Sequence, residues 1–104
     1  MGYIYLINES NSNNYKIGVT KAKTITKRTL ELQTGNSSEL IICRKFETNN
    51  TYKLENMLHN HYQPKRLKGE WFSLTDDEAI GFTDICTKYQ KTIDFLLENN
   101  EFYS

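Results

Sequence analysis

Two short apolar stretches near the start of the chain, separated by a run of Asn, Ser and Glu, limit its possible folds more than any other feature. Residues 3–7 (YIYLI) alternate, placing Tyr3, Tyr5 and Ile7 on one face and Ile4 and Leu6 on the other, as a strand does. The run Asn8 to Asn14 has the composition of a turn, and Tyr15 to Val19 then reads as the returning strand. On that strand Tyr15, Ile17 and Val19 share one face and Lys16 and Gly18 the other. Lys16 meets Tyr5 only in a suitable register, which the alternation alone leaves open. Whatever follows must extend this hairpin and cover it.

The remainder supplies such elements. From Thr24 to Gln33, Ile25, Thr29 and Leu32 recur at helical spacing, with Thr24 or Thr26 as N-cap and Gly35 as terminator. Residues 39–46 (ELIICRKF) read as a third strand. Residues 51–62 put Leu54, Met57, Leu58 and His61 on one stripe of an amphipathic helix. Gln63 to Gly69 reads as a basic loop, and EWFSL after it as a short strand or an extended anchor. TDDE at 75–78 offers an N-cap and first-turn acids for one long last helix, with Phe82, Ile85, Cys86, Tyr89, Ile93 and Leu96 facing the core. This order predicts an α+β fold: a small three-stranded antiparallel sheet flanked by helices, with a long C-terminal helix.

A chain of 104 residues suits one domain, expected over 1–99, with a frayed tail at 100–104. Cys43 and Cys86 sit among apolar neighbours without C-x-x-C spacing, so they read as free buried thiols rather than a disulfide or a zinc site. No stretch approaches the ~20 apolar residues that cross a bilayer, and no charged segment precedes an apolar run at the N-terminus. The expectation is an intracellular protein that is not secreted and has no membrane partner. The formal charge is zero, yet residues 1–68 carry 11 basic and 5 acidic side chains and residues 69–104 carry 2 and 8. A basic front half can attract a polyanion; a solvated charged surface is the plainer reading.

Four side chains from four elements could act together on a phosphate: Tyr5, Lys16, Arg28 and Glu55. Hydrolysing a phosphodiester calls for a group that activates water, a divalent cation and a fixed positive charge. Glu55 and Arg28 both lie beside the apolar stripes of their helices, at a core boundary. Taken alone, each reads more readily as part of a solvated face than as a site residue. His59 stands four residues after Glu55 and shares its side of the helix, whereas His61 falls on the apolar stripe. The string HNH at 59–61 is a coincidence of letters. Lys21, Lys23 and Lys27, and later Lys65, Arg66 and Lys68, are candidates for phosphate contacts, although such residues commonly serve only solubility. Trp71 and Phe72 could stack on a base, but more often such residues close a core.

The order of these residues resembles the GIY-YIG nucleases. Tyr5 in YIYLI matches the tyrosine of the first motif half, IG in YKIG the second half, Arg28 in KRTLELQTGN the arginine of the first helix, and Glu55 in KLENMLHNHY the metal-binding glutamate. YKIGVT, LELQTGN and KGEWFSL are similar to a branch common in phage, viral and bacterial proteins, and the likeness runs from residue 2 to about residue 74. Lys16, rather than Tyr15, stands at the second tyrosine position. Arg28 follows Gly18 by ten positions, a longer spacing than usual, and Leu32 occupies a place where some members carry a histidine.

The resemblance implies the GIY-YIG fold and single-metal hydrolysis of DNA, duplex or branched. Tyr5 would help to activate water, Glu55 would hold Mg²⁺ or Mn²⁺, Arg28 would stabilise the phosphate, and Lys16 would orient water or offset charge. His59 and Tyr15 are supporting candidates. With little chain left for a specificity module, the implied enzyme nicks with weak sequence preference, or relies on a homodimer or another protein for specificity. The branch implies the cytoplasm or nucleus of a host cell. The rival reading is a catalytically silent module of this fold that binds nucleic acid or protein. Loss of cleavage on metal removal separates the two.

Overall fold

A computed structural model describes residues 2–21 and 39–98. The helix expected over 24–33 lies outside the described residues, and so do Lys23, Lys27, Arg28 and the tail at 100–104. The fold class is α+β, as expected: the described residues form five antiparallel strands and three helices. The strands are β1 (Gly2–Glu9), β2 (Asn14–Thr20), β3 (Leu40–Thr48), β4 (Arg66–Lys68) and β5 (Trp71–Ser73), ordered β3-β1-β2-β5-β4. The helices are α1 (Thr51–His61), α2 (Asp76–Ile80) and α3 (Phe82–Glu98).

The turn between β1 and β2 explains its Asn-rich composition. Asn11 takes a left-handed conformation (φ 62°), which asparagine tolerates better than most residues. The Asn8 side-chain amide donates to the carbonyls of Ser12 (3.0 Å) and Asn14 (3.2 Å), and Ser12 Oγ donates to the Glu9 carbonyl (2.7 Å). The resulting register opposes Tyr5 to Gly18 and Ile7 to Lys16. Lys16 therefore lies on the Tyr5 face, diagonal to the tyrosine.

Both faces of the sheet carry buried residues. Ile4, Leu6, Tyr15, Ile17 and Phe72 join Leu54, Leu58, Phe82, Cys86 and Ile93 of the helices in the larger cluster, while Tyr5, Ile7 and Leu40 form a smaller cluster on the opposite face. β3 meets β1 with a register shift between Leu6 and Ile7, so Cys43 is a bulged residue. Polar contacts from α3 fix the start of α1. Gln90 bonds to Thr48 Oγ1, and its Nε2 donates to Asn50 Oδ1 at 3.1 Å.

Four local expectations are corrected. The basic loop is structured: Gln63–Lys65 form a 3-10 turn and Arg66–Lys68 form β4, which with β5 extends the sheet from three strands to five. The single last helix is two, divided at Gly81, although Thr75 does cap the first of them in a reciprocal box with Glu78. Leu96 is exposed, because Ile93 is the last buried position on α3. Of the two thiols, both free, only Cys86 is buried; the bulge leaves Cys43 half-buried.

Candidate active site

The site arises where the pairing of β2 changes partner. β5 pairs with β2 only over Asn14, Tyr15 and Lys16, and the Ile17 N–H then donates to the Glu70 carbonyl at 3.0 Å. Past this point α1 lies along the strand. The Ile17 carbonyl is met by His59 Nε2 at 3.0 Å. A carbonyl can only accept, so that nitrogen carries a proton and offers no lone pair to a metal. The imidazole also leans on Phe72, ring centroids 5.2 Å apart.

Glu55 stands one turn before His59, immediately after the buried Leu54. Its Oε2 is 4.0 Å from His59 Nε2, and this oxygen is buried without a hydrogen-bond partner. Burial raises the Glu55 carboxyl above its usual range, and the charge of nearby Glu70 adds to the rise. His59 and Lys16 oppose it, while hydrogen bonding to Glu70 further favours the protonated form.

Lys16 completes the group. Its Nζ lies 2.7 Å from Glu70 Oε2 and 5.8 Å from the centroid of the Trp71 ring, and the side chain is only 12% exposed. Tyr5, fully buried on the same face, rests its ring and hydroxyl against the Cα of Gly18. The sheet and α1 thus bring Lys16, Glu55, His59 and Glu70 together, with Tyr5 on the neighbouring strand.

A buried carboxylate oxygen without a partner suits a hard divalent cation. Among the described residues, no cluster of three or more His, Cys, Asp or Glu forms a metal cage. A single carboxylate ligand agrees with the habits of Mg²⁺, which keeps several waters and takes the rest of its shell from one or two carboxylates and substrate phosphate. The residues present therefore fit such an ion at Glu55.

The other candidates lie elsewhere. Tyr15 points to the opposite face, into the larger core, where burial raises its phenol with smaller contributions from Cys43 and Asp76. Lys21 lies over the Tyr52 ring at 5.5 Å, Lys65 pairs with Glu78 at 3.7 Å, and Arg66 Nε donates to the Gly69 carbonyl at 2.8 Å. Lys68 is exposed. His61 is exposed rather than on the core stripe, and bonds Tyr89 at 2.9 Å. Phe72 is core, and Trp71 packs against the smaller cluster. Glu70 is the member of the group that periodicity does not reveal. Its signal is the GEWF string, whose glycine makes the tight turn that aims the glutamate at β2.

In comparison with known families, residues 2–87 match the T5orf172 domain. No curated protein and no solved structure matches the chain. Among the described residues, no helix is long and apolar enough to cross a membrane.

Proposed function

The chain belongs to the T5orf172 domain family, a phage-associated domain linked to endonuclease-like proteins, and from this premise we propose that it is a metal-dependent DNA endonuclease of the GIY-YIG kind that nicks with weak sequence preference. The observation that carries this reading is the buried, unpartnered Oε2 of Glu55 beside the Lys16 ammonium and the His59 ring. An Mg²⁺ or Mn²⁺ ion held there would polarise the scissile phosphate and stabilise the leaving oxygen.

The chain's own residues have separable tasks in this reading. Glu55 gives up its proton and presents a carboxylate to the ion. His59 holds one proton on Nε2 toward Ile17 and so fixes the strand edge beside Glu55. Lys16 offsets phosphate charge from the strand next to Tyr5, whose hydroxyl orients the attacking water. Arg28, assigned by resemblance, would stabilise the charge of the pentavalent phosphate.

The test is cleavage of supercoiled plasmid with Mg²⁺ or Mn²⁺, comparing wild type, Glu55→Gln and an EDTA control. Open circles that need metal and vanish in the variant are expected. A folded wild type that binds DNA in a salt-sensitive manner but never cuts it would favour the silent binding module instead.

A further inference from the structure

We propose, on the basis of the nuclease reading above, that Glu70 is a positioning residue: it holds the Lys16 ammonium in place at the edge of the site, where that ammonium offsets phosphate charge. Gly69 has φ +58°, and a Cβ added there would meet nothing within 4 Å, so glycine is required for the backbone conformation rather than for space. Arg66 Nε donates to the Gly69 carbonyl at 2.8 Å and secures this turn. The turn brings the Glu70 carbonyl onto the Ile17 N–H at 3.0 Å, which fixes the residue's backbone against β2.

From that position the Glu70 carboxylate reaches Lys16 Nζ at 2.7 Å, and Trp71, paired with Lys16 across the ladder, sets its ring 5.8 Å from the same nitrogen. An ammonium only 12% exposed must have a charged or strongly polar partner. Glu70 is the carboxylate in direct contact with it. Without Glu70 the ammonium would lose its charged partner and, with it, its fixed place beside Trp71. Glu70 acts through Lys16 in this scheme and does not touch the reacting atoms. Gly69, Glu70 and Trp71 then have one purpose between them: turn, anchor and backing ring for a single lysine.

The experiment is a double-mutant cycle on the full chain, Lys16→Gln against Glu70→Gln, read by the rate and metal dependence of plasmid nicking. A second readout is the ¹⁵N-lysine ammonium signal of Lys16. Glu70→Gln is expected to lower nicking by about tenfold in the wild-type background and by less than about twofold in the Lys16→Gln background. It should also abolish the protected ammonium signal. Glu70→Asp, which keeps the charge but shortens its reach, takes its place should Glu70→Gln not fold. An equal loss in both backgrounds would make Glu70 a direct ligand or a purely structural turn residue, and an unchanged ammonium signal would remove the contact; either overturns the proposal. A wild type that does not nick overturns the nuclease reading and this one with it, whereas a wild type that nicks as well as Glu70→Gln overturns this one alone.

Discussion

Gly18 and Tyr5 face each other across β1 and β2, so closely that a Cβ on Gly18 would overlap the Tyr5 hydroxyl and lie 2.6 Å from Cζ. Tyr5 is fully buried and cannot swing away without leaving its cluster with Ile7 and Leu40. Gly18→Ala should destabilise the fold by about 1–3 kcal/mol, the usual cost of overpacking. Urea unfolding measures it. Activity should fall further than stability accounts for, because the displaced group is the tyrosine assigned to water.

Glu55→Gln keeps the shape of the side chain and removes its charge. The variant should fold and match or exceed the wild type in stability near neutral pH, since a raised carboxyl is one that the fold holds ionised at a cost. Mn²⁺ should raise the melting temperature of the wild type and leave that of the variant unchanged. A variant still stabilised by Mn²⁺ would move the ion away from Glu55.

The pH dependence follows from the same shift. Glu55 lies above the ordinary carboxyl value, so the metal-free folded state binds more protons there than the unfolded chain. Its contribution to stability therefore falls as pH rises from the ordinary value through the raised one. A cation must displace that proton, so Mn²⁺ affinity should strengthen as pH rises from the ordinary carboxyl value through the raised one, with proton release on binding. Calorimetric titration in buffers of different ionisation enthalpy measures both, and Glu55→Gln should abolish the release.

His59→Ala removes the donor to the Ile17 carbonyl and a ring packed on Phe72. Leaving that carbonyl unpaired should cost about 1–3 kcal/mol. Hydrogen exchange should quicken along residues 17–20, past the point where β5 stops pairing. Exchange confined to the β1–β2 turn would contradict this assignment of the strand edge.

Thr75→Ala removes the acceptor for the Glu78 N–H (3.1 Å) and should cost about 1 kcal/mol in thermal or urea unfolding. Glu78 is held below its ordinary value mainly by the Thr75 backbone N–H. Its stabilising effect is present above the ordinary carboxyl value and is lost as pH falls through the lowered one, opposite in sign to Glu55. Alanine keeps that backbone N–H, so the variant's deficit should persist in acid.

The hairpin and α1 were legible because alternation and the Leu54–Leu58 spacing are long enough to register. β4 was not, and β5 was legible only as a short strand or an extended anchor, since three residues give no period and their pairing depends on the left-handed Gly69. The break at Gly81 escaped because Phe82 continues the apolar stripe. Glu55 was found through its resemblance to a known motif and its place beside that stripe. Glu70 belongs to no stripe, and its role comes from the exact place where β5 leaves β2. The facing of Lys16 and Tyr5 required the register, which the Asn8 and Ser12 bonds of the turn now explain.

The two outer strands of this sheet bear on how the chain behaves in company. On one rim stands β4, only three residues long, wholly exposed and bearing Arg66 and Lys68; on the other, β3 is bent by the Cys43 bulge and carries the exposed Arg44 and Lys45. A neighbouring strand approaching either rim meets a short or irregular ladder and exposed charged side chains. The short and irregular rims with their basic residues therefore keep sheet from adding to sheet, so the chain should resist polymerising even where it is concentrated.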